Sequence, residues 1–249
     1  MGSGFPHFWN YSGGDLHITR SSEETFCPAS AKRLKIWRVS KVELAQQLHS
    51  GLEALGEDPA QHPCTDYLAY IDLLAKWNKA YNLSGIKDKE KMLTHHLLDC
   101  LSVLPYLSTG RSLDVGTGAG LPGFILALAR PDMEWLLMDS NSKKTRFIHQ
   151  ALLELKPDNI EIAETRFEDF PSGEGFSNII SRALMPAREF CAQSLPHLQQ
   201  QGRILPMKSK SLADEIVVLD RGLYQLQSHS LQVPGVDAER HVLIIERRQ

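Results

Sequence analysis

The 249-residue sequence predicts an α/β protein: a mostly parallel, seven-stranded sheet that ends in an antiparallel hairpin, with N-terminal helices packed on it. Three observations predict it. Short apolar runs alternate with amphipathic helical stretches after Arg111, the signature of parallel strands joined by right-handed crossovers. The first of these runs leads into "DVGTGAGLPG", a glycine turn between a strand and a helix. Finally, "YQLQSHSLQV" and "ERHVLIIER" read as two strands joined through Pro234-Gly235, which closes the pattern with a hairpin.

The elements follow in order. Residues 1–38 carry glycine, serine and isolated aromatics without a period of 2 or 3.6, which predicts an ill-ordered N-terminal extension. Residues 39–107 read as N-terminal helices. The first is expected to start at Ser40, where "SKVE" forms a capping box, and to stop at Gly56. A second carries Tyr67, Ile71, Leu74 and Tyr81 on one face, and a third holds Met92, His95, His96, Asp99 and Val103. Three such helices are too few for a core of their own and are expected to cover the sheet. Residues 108–249 are expected to form the sheet domain, with strands near 111–115, 134–139, 159–163, 176–181 and 202–207 and helices near 122–130, 142–155, 186–198 and 211–220.

Composition narrows the function classes. Hydrophobic residues at 42% and charged residues at 23% are ordinary for a globular chain. The formal net charge of -3 offers no global attraction to polyanions, so any contact with RNA has to come from a local basic patch, and no DNA contact is expected. Cys27, Cys64, Cys100 and Cys191 are widely spaced and form no C-x-x-C pair, which suits a reducing compartment better than a disulfide or zinc framework. No apolar run is long enough for a membrane span, and the N-terminus lacks a basic-then-apolar leader, so a cytoplasmic location is expected.

The glycine loop carries the chemistry. Gly118, Gly120 and Gly123 match G-x-G-x-x-G, a weak signal alone that gains from the strand ending at Val115 and from Pro122 at the helix start. Asp114 separates candidate ligands: a carboxylate there opposes a pyrophosphate and suits a cationic ammonium and sulfonium. Asp139, ending the next strand, sits where an acid can accept from both ribose hydroxyls. A nicotinamide-dependent oxidoreductase would use that same acid and remains an alternative, as does a non-catalytic ribosome-assembly factor. No P-loop string is present.

Taken together, "WNKAYNLSGIKDKEKMLTHHLLD", "DVGTGAGLPG", "LLMDSNSKKTRFI", "AETRFEDF", "IISRAL" and "LPMKSK" resemble the bacterial 16S ribosomal RNA guanine-N7 methyltransferases, also called glucose-inhibited division protein B. The resemblance spans roughly residues 40–249 and implies a class I S-adenosylmethionine-dependent methyltransferase fold. It implies methylation of N7 of one guanine in the 530 loop of 16S rRNA, with the rRNA or a small-subunit ribonucleoprotein particle as partner. It places donor contacts on Gly116, Leu121, Phe167, Glu168 and Arg182, joined by Asp114, Gly118 and Asp139 from the loop reading. "LPMKSK" departs from the pattern in its proline and serine, which bears on the loop after Lys208.

The residues agree with such chemistry. Guanine N7 has a lone pair and no proton, so no general base is called for. Strand four ends in "SRAL" and lacks the [DNS]-P-P-[YF] string that grips an amino nitrogen, while Cys64 and Cys191 lie away from the strand ends. No catalytic residue is therefore expected beyond positioning groups, with Arg182 and Lys208 as candidate substrate contacts. Lys143, Lys144 and Arg146 form a basic cluster that suits an RNA backbone or a solvated helix face. Trp77 and Tyr81 suit either base stacking or the core, and Asn82 with Ser84 suits a loop facing the cleft. His95 and Asp99 at a spacing of four could bind a metal, but no third ligand accompanies them, and orientation of the helix against the sheet, or a wall of the RNA site, is the expected role.

Overall fold

The computed structural model describes residues 28–171, 173, 175–182, 185–208, 222 and 224–248, with side chains from Lys41 onward. The expected helix near 211–220 lies outside the described residues. The chain divides into two compact units, Met1–Val39 and Ser40–Gln249. Among the described residues no helix is long and apolar enough to cross a membrane.

Helix α1 spans Pro28–Ala54, so Ser40 lies within a helix and does not cap one. The reason is local: "PASAKRLKIWRV" offers a helix-compatible proline at its start and good helix formers after it, and nothing in it breaks the run. At the other end the Glu57 N–H donates to Leu52 O (2.9 Å) around Gly56 at φ 81°, the left-handed stop that the sequence predicts. Helix α2 (Cys64–Tyr81) buries Tyr67, Tyr70, Ile71 and Leu74. The third helical segment is compound: α3 (Lys89–Met92), a π-helical turn (Leu93–Leu98) and α4 (Asp99–Leu101).

Seven strands follow: β1 Ser112–Val115, β2 Trp135–Met138, β3 Ile160–Ala163, β4 Phe176–Arg182, β5 Leu198–Lys208, β6 Tyr224–Ser230 and β7 His241–Arg247. Their order is β3-β2-β1-β4-β5-β7-β6; β7 is antiparallel to both β5 and β6, and the remaining pairs are parallel. The expected mostly parallel sheet with a terminal hairpin is what the chain forms. Helices α5 (Gly123–Ala129), α6 (Ser142–Leu155) and α7 (Ala187–Ser194) lie within two residues of the predicted starts.

The period-2 alternation of strands sorts side chains onto two faces. Leu137, Ile180, Leu205 and Ile244 join α1, α2, the third helical segment, α5 and α6 in one core that also holds Leu48, Tyr70, Leu97, Phe124 and Phe147. The N-terminal helices therefore do cover the sheet. Their alternating neighbours Leu113, Val115, Leu136, Met138, Ile179, Ile204 and Ile245 form the opposite core with Phe190 and Cys191 of α7. Both faces being covered explains why the central strands are apolar throughout. Each fully buried Leu or Phe contributes about 1.5–3 kcal/mol. In-register pairing of Val115 with Met138 and of Met138 with Ala163 brings the carboxyl ends of β1, β2 and β3 level. Strand order reverses between β1 and β4, and the crevice outside such a switch point is where α/β sheets bind ligands.

Candidate active site

The loop after β1 is built on Asp114. This residue faces α5 and is entirely buried; its Oδ2 accepts from the Thr117 hydroxyl (2.6 Å) and from the Gly123 N–H (2.7 Å). Gly123 has to be glycine, since a Cβ there would lie 2.3 Å from Leu137 Cδ2 and 2.8 Å from Asp114 Oδ2. Gly116, Gly118 and Gly120 hold φ of 67°, 64° and 84°, a left-handed path that side chains other than glycine rarely take. The Tyr70 hydroxyl from α2 donates to the Ala119 carbonyl and pins the loop from outside. Asp114 Oδ1 is buried with no hydrogen-bond partner among the described residues. Burial pushes this carboxyl up to about 6, against the lowering effect of the Thr117 and Gly123 hydrogen bonds and of Arg182.

Asp139 closes the other side. The Gly118 N–H (2.9 Å) and Lys144 Nζ (3.2 Å) both donate to its Oδ2, and the Asn141 N–H donates to Oδ1 (2.9 Å). Asn141 also caps α6 through its side chain, which accepts from the Lys143 N–H (3.0 Å). One cleft of roughly 400 Å³ results, and Gly116, Met138, Asp139, Lys144, Phe167 and Glu168 are among its lining residues. Phe167 is held there by neighbouring rings, with centroids 5.5 Å from His197 and 6.3 Å from Phe190.

A second cleft of roughly 250 Å³ opens at the ends of β4 and β5, where Arg182, Lys208, His95, His96 and Asp99 line it together with Arg240 from the hairpin loop. Arg182 Nη1 donates to Asp99 Oδ2 (3.2 Å) and to the His95 carbonyl (3.3 Å). That carbonyl is available because the turn is π-helical: the Asp99 N–H bonds to Thr94 O and His96 O, skipping His95 O. Arg240 Nε donates to the other Asp99 oxygen (2.9 Å). Both carboxylate oxygens of Asp99 thus serve arginines, and the orienting role expected of this residue is what it performs. His96 Nε2 lies 2.7 Å from Ser84 Oγ, and burial followed by repulsion from Arg182 lowers its pKa to about 4.

The two clefts adjoin. The Ser181 hydroxyl donates to the Val115 carbonyl (2.8 Å), and Lys208 Nζ donates to the carbonyl of Met185, a lining residue of the first cleft (2.6 Å).

Of the residues singled out in the sequence, Gly116, Asp139, Phe167 and Glu168 come together in the first cleft, and Arg182 and Lys208 in the second. Asp114 and Leu121 lie beneath the loop in the interior, and Gly118 meets the first cleft through its N–H bond to Asp139. Trp77 packs against Phe147 (5.8 Å) and Tyr81 (5.1 Å), while Tyr81 is half exposed. Lys143 and Arg146 are exposed. Burial pushes the Cys191 thiol up to about 11 and the Cys100 thiol higher still, so both stay neutral. The sequence reading missed Ile86, Leu231, Arg240 and His241 as cleft residues. No local pattern marks them: Ile86 comes from the loop after α2, Leu231 and Arg240 come from the far-off connection between β6 and β7, and His241 opens β7.

Comparison with known proteins gives the family. Residues 64–243 match the model of rRNA small subunit methyltransferase G, GidB. The chain belongs to this family. The ribosomal RNA small subunit methyltransferase G of Marinobacter nauticus is 42% identical over 203 residues, covering 82% of this chain and 95% of that protein. Its counterpart in Escherichia coli O17:K52:H18 is 40% identical over 204 residues, covering 82% and 98%. Among solved structures, an rRNA methylase from Streptococcus thermophilus is 17% identical, covers 61% of this chain and 94% of that one, and has a TM-score of 0.46.

Proposed function

We propose that the chain methylates N7 of a guanine in the 530 loop of 16S rRNA, taking the methyl group from S-adenosylmethionine in the first cleft. One observation carries the choice of donor: a buried carboxylate, Asp114, with one oxygen unpaired among the described residues, lies directly under a glycine loop at the sheet's switch point. That charge attracts a cationic ligand and opposes a diphosphate. The cleft fits the rest of the donor: Asp139 for a ribose diol, Met138 and Phe167 for the flat face of a purine, and backbone without side chains at Gly116. Gly118, Leu121 and Asp114 shape the loop, and Glu168 lines the rim.

S-adenosylmethionine, when bound, supplies a methyl group on a sulfonium. The protein's task is to hold the acceptor in line with it. Fixing two reactants in this way is worth on the order of 7–11 kcal/mol. Arg182, at the end of β4, is oriented by Asp99 and the His95 carbonyl to meet guanine O6 from the acceptor side. His96 is held neutral, and the buried thiols are neutral as well. N7 has no proton to remove, so the reaction calls for no general base. In this reading residues 108–249 carry the chemistry and the helices of 39–107 wall the acceptor side. With a net charge of -3 and only local clusters of cations, the chain suits an rRNA presented in a small-subunit ribonucleoprotein particle, in the cytoplasm.

The test is to delete the gene and probe 16S rRNA by borohydride and aniline scission, which cuts at N7-methylguanine. Loss of the 530-loop cut, restored by the intact gene and not by an Asp139→Ala copy, is the expected result. A cut that persists in the deletion strain overturns the assignment.

A further inference from the structure

We infer that the second cleft receives the acceptor nucleotide, with Arg240 as the contact to its phosphate and Asp99 as the residue that positions Arg240 beside Arg182. The inference rests on the proposed rRNA substrate and adds where, and by which residues, that substrate is held.

Charge is the first argument. Arg182, Lys208 and Arg240 line this cleft, and among the described residues Asp99 is its one acidic lining residue. Asp99 spends one oxygen on each arginine, so one negative charge serves two guanidinium groups and the cleft keeps a surplus of positive charge. Asp99 is 2% exposed, so it presents its two partners and is itself out of reach of a ligand. Arg240 uses Nε on Asp99 and Nη1 on the Glu239 carbonyl (3.0 Å); its Nη2 has no protein partner among the described residues. A guanidinium held from one side in this way is set to donate to a phosphate from the other.

The second argument is shape. Ile86, Met207 and Leu231 supply an apolar wall beside the cations, a pairing that suits a base with its phosphate better than a bare anion. Ile86 is brought there by Asn78, which takes the Ser84 N–H (2.7 Å) and gives to the Ile86 carbonyl (2.8 Å). The volume of roughly 250 Å³ is small beside the ~300–1,000 Å³ of drug-sized ligand sites and suits one nucleotide unit. His241, also in the lining, has its buried Nε2 3.7 Å from Glu239 Oε2, beyond hydrogen-bond distance.

Position is the third. Lys208 donates to the carbonyl of Met185, and Met185 lines the donor cleft, so an acceptor seated against Lys208 lies one wall away from the donor.

The experiment compares the full chain with its Arg240→Gln and Arg240→Lys variants on small subunits from the deletion strain. Steady-state methyl transfer is measured across a salt series, and S-adenosylmethionine affinity is measured separately. Arg240→Gln is expected to raise KM for subunits about tenfold and to lower the log–log salt slope by about 0.7–0.9, one phosphate contact, with donor affinity within twofold. Arg240→Lys is expected to keep the wild-type slope. An unchanged KM and slope in Arg240→Gln overturns the inference, and so does a loss of donor affinity that matches the rise in KM. If Arg240→Gln does not fold, guanosine 5′-monophosphate is used as an inhibitor of the unaltered enzyme. Inhibition competitive with subunits and not with S-adenosylmethionine supports the site; the reverse, or no inhibition at millimolar concentration, overturns it. Failure of the unaltered enzyme to methylate 16S rRNA at all would instead sink the proposed function, so the two failures are told apart.

Discussion

The donor cleft and the acceptor cleft share the carboxyl end of one sheet but are assembled differently. The donor side is local: Asp114, Thr117 and Gly123 form one hydrogen-bonded unit within ten consecutive residues, and Asp139, directly after β2, accepts from the Gly118 N–H. The acceptor side draws Ile86, Asp99, Arg182, Lys208 and Arg240 from five separate segments and rests on a single carboxylate. A loop that closes on itself keeps its shape through backbone geometry. A cleft gathered from distant segments keeps its shape through one buried charge, and one substitution can disperse it.

The largest expected effect follows from that difference. Asp99→Ala leaves two largely buried guanidinium groups without their carboxylate, and breaking such a pair costs about 3–5 kcal/mol. Thermal melting measures the loss. If the folded fraction still binds S-adenosylmethionine normally while its KM for subunits rises, the two clefts are separable; a matching loss of donor affinity would join them into one. On the donor side, Asp139→Ala removes an acceptor that takes the Gly118 and Asn141 N–H groups and Lys144. At about 1.5–3 kcal/mol for hydrogen bonds to a charged group, donor affinity is expected to fall by roughly ten- to a hundredfold, with KM for subunits little changed. Gly123→Ala forces a methyl against Leu137 and Asp114 and is expected to cost about 1–3 kcal/mol in melting experiments.

The smallest effect is a cancellation. Asp114 is raised to about 6 by burial, so it stabilises the fold at acid pH, and that contribution is lost as pH rises from the ordinary carboxylate value of 3.8 through 6. His96 is lowered to about 4, so its contribution is present above 6.5 and is lost as pH falls from there through 4. Between about 4 and 6 the two slopes oppose one another. From these two groups the unaltered chain is expected to show little net change in denaturant midpoint across that window. Asp114→Asn should then lose stability on acidification, and His96→Gln should gain it. Parallel slopes in the two variants would contradict the assigned burial effects.

The same contrast explains what could be read from sequence. Strands β1 to β3, the glycine loop and Asp139 were legible because period-2 apolar runs and glycines report local backbone geometry. The residues of the donor cleft came from that same local signal and from the family resemblance. The start of α1 is not legible, since "SKVE" satisfies the rule for a cap while the helix formers before it allow the helix to run through. The π-helical turn carries no signature in "LTHHLL", yet it is what frees the His95 carbonyl for Arg182. Arg240 stood in the sequence as one more cation beside a strand. Its importance comes from meeting Asp99 across 141 positions of chain, a contact that no local pattern encodes.

The central claim, that the first cleft is made for a cationic methyl donor and not for a diphosphate, is tested most directly by calorimetric titration of the full chain with S-adenosylmethionine and with NADH. Saturable binding of S-adenosylmethionine that weakens sharply in Asp139→Ala and persists in Arg240→Gln, with no heat from NADH, is the predicted result. Uptake of NADH without uptake of S-adenosylmethionine would contradict it.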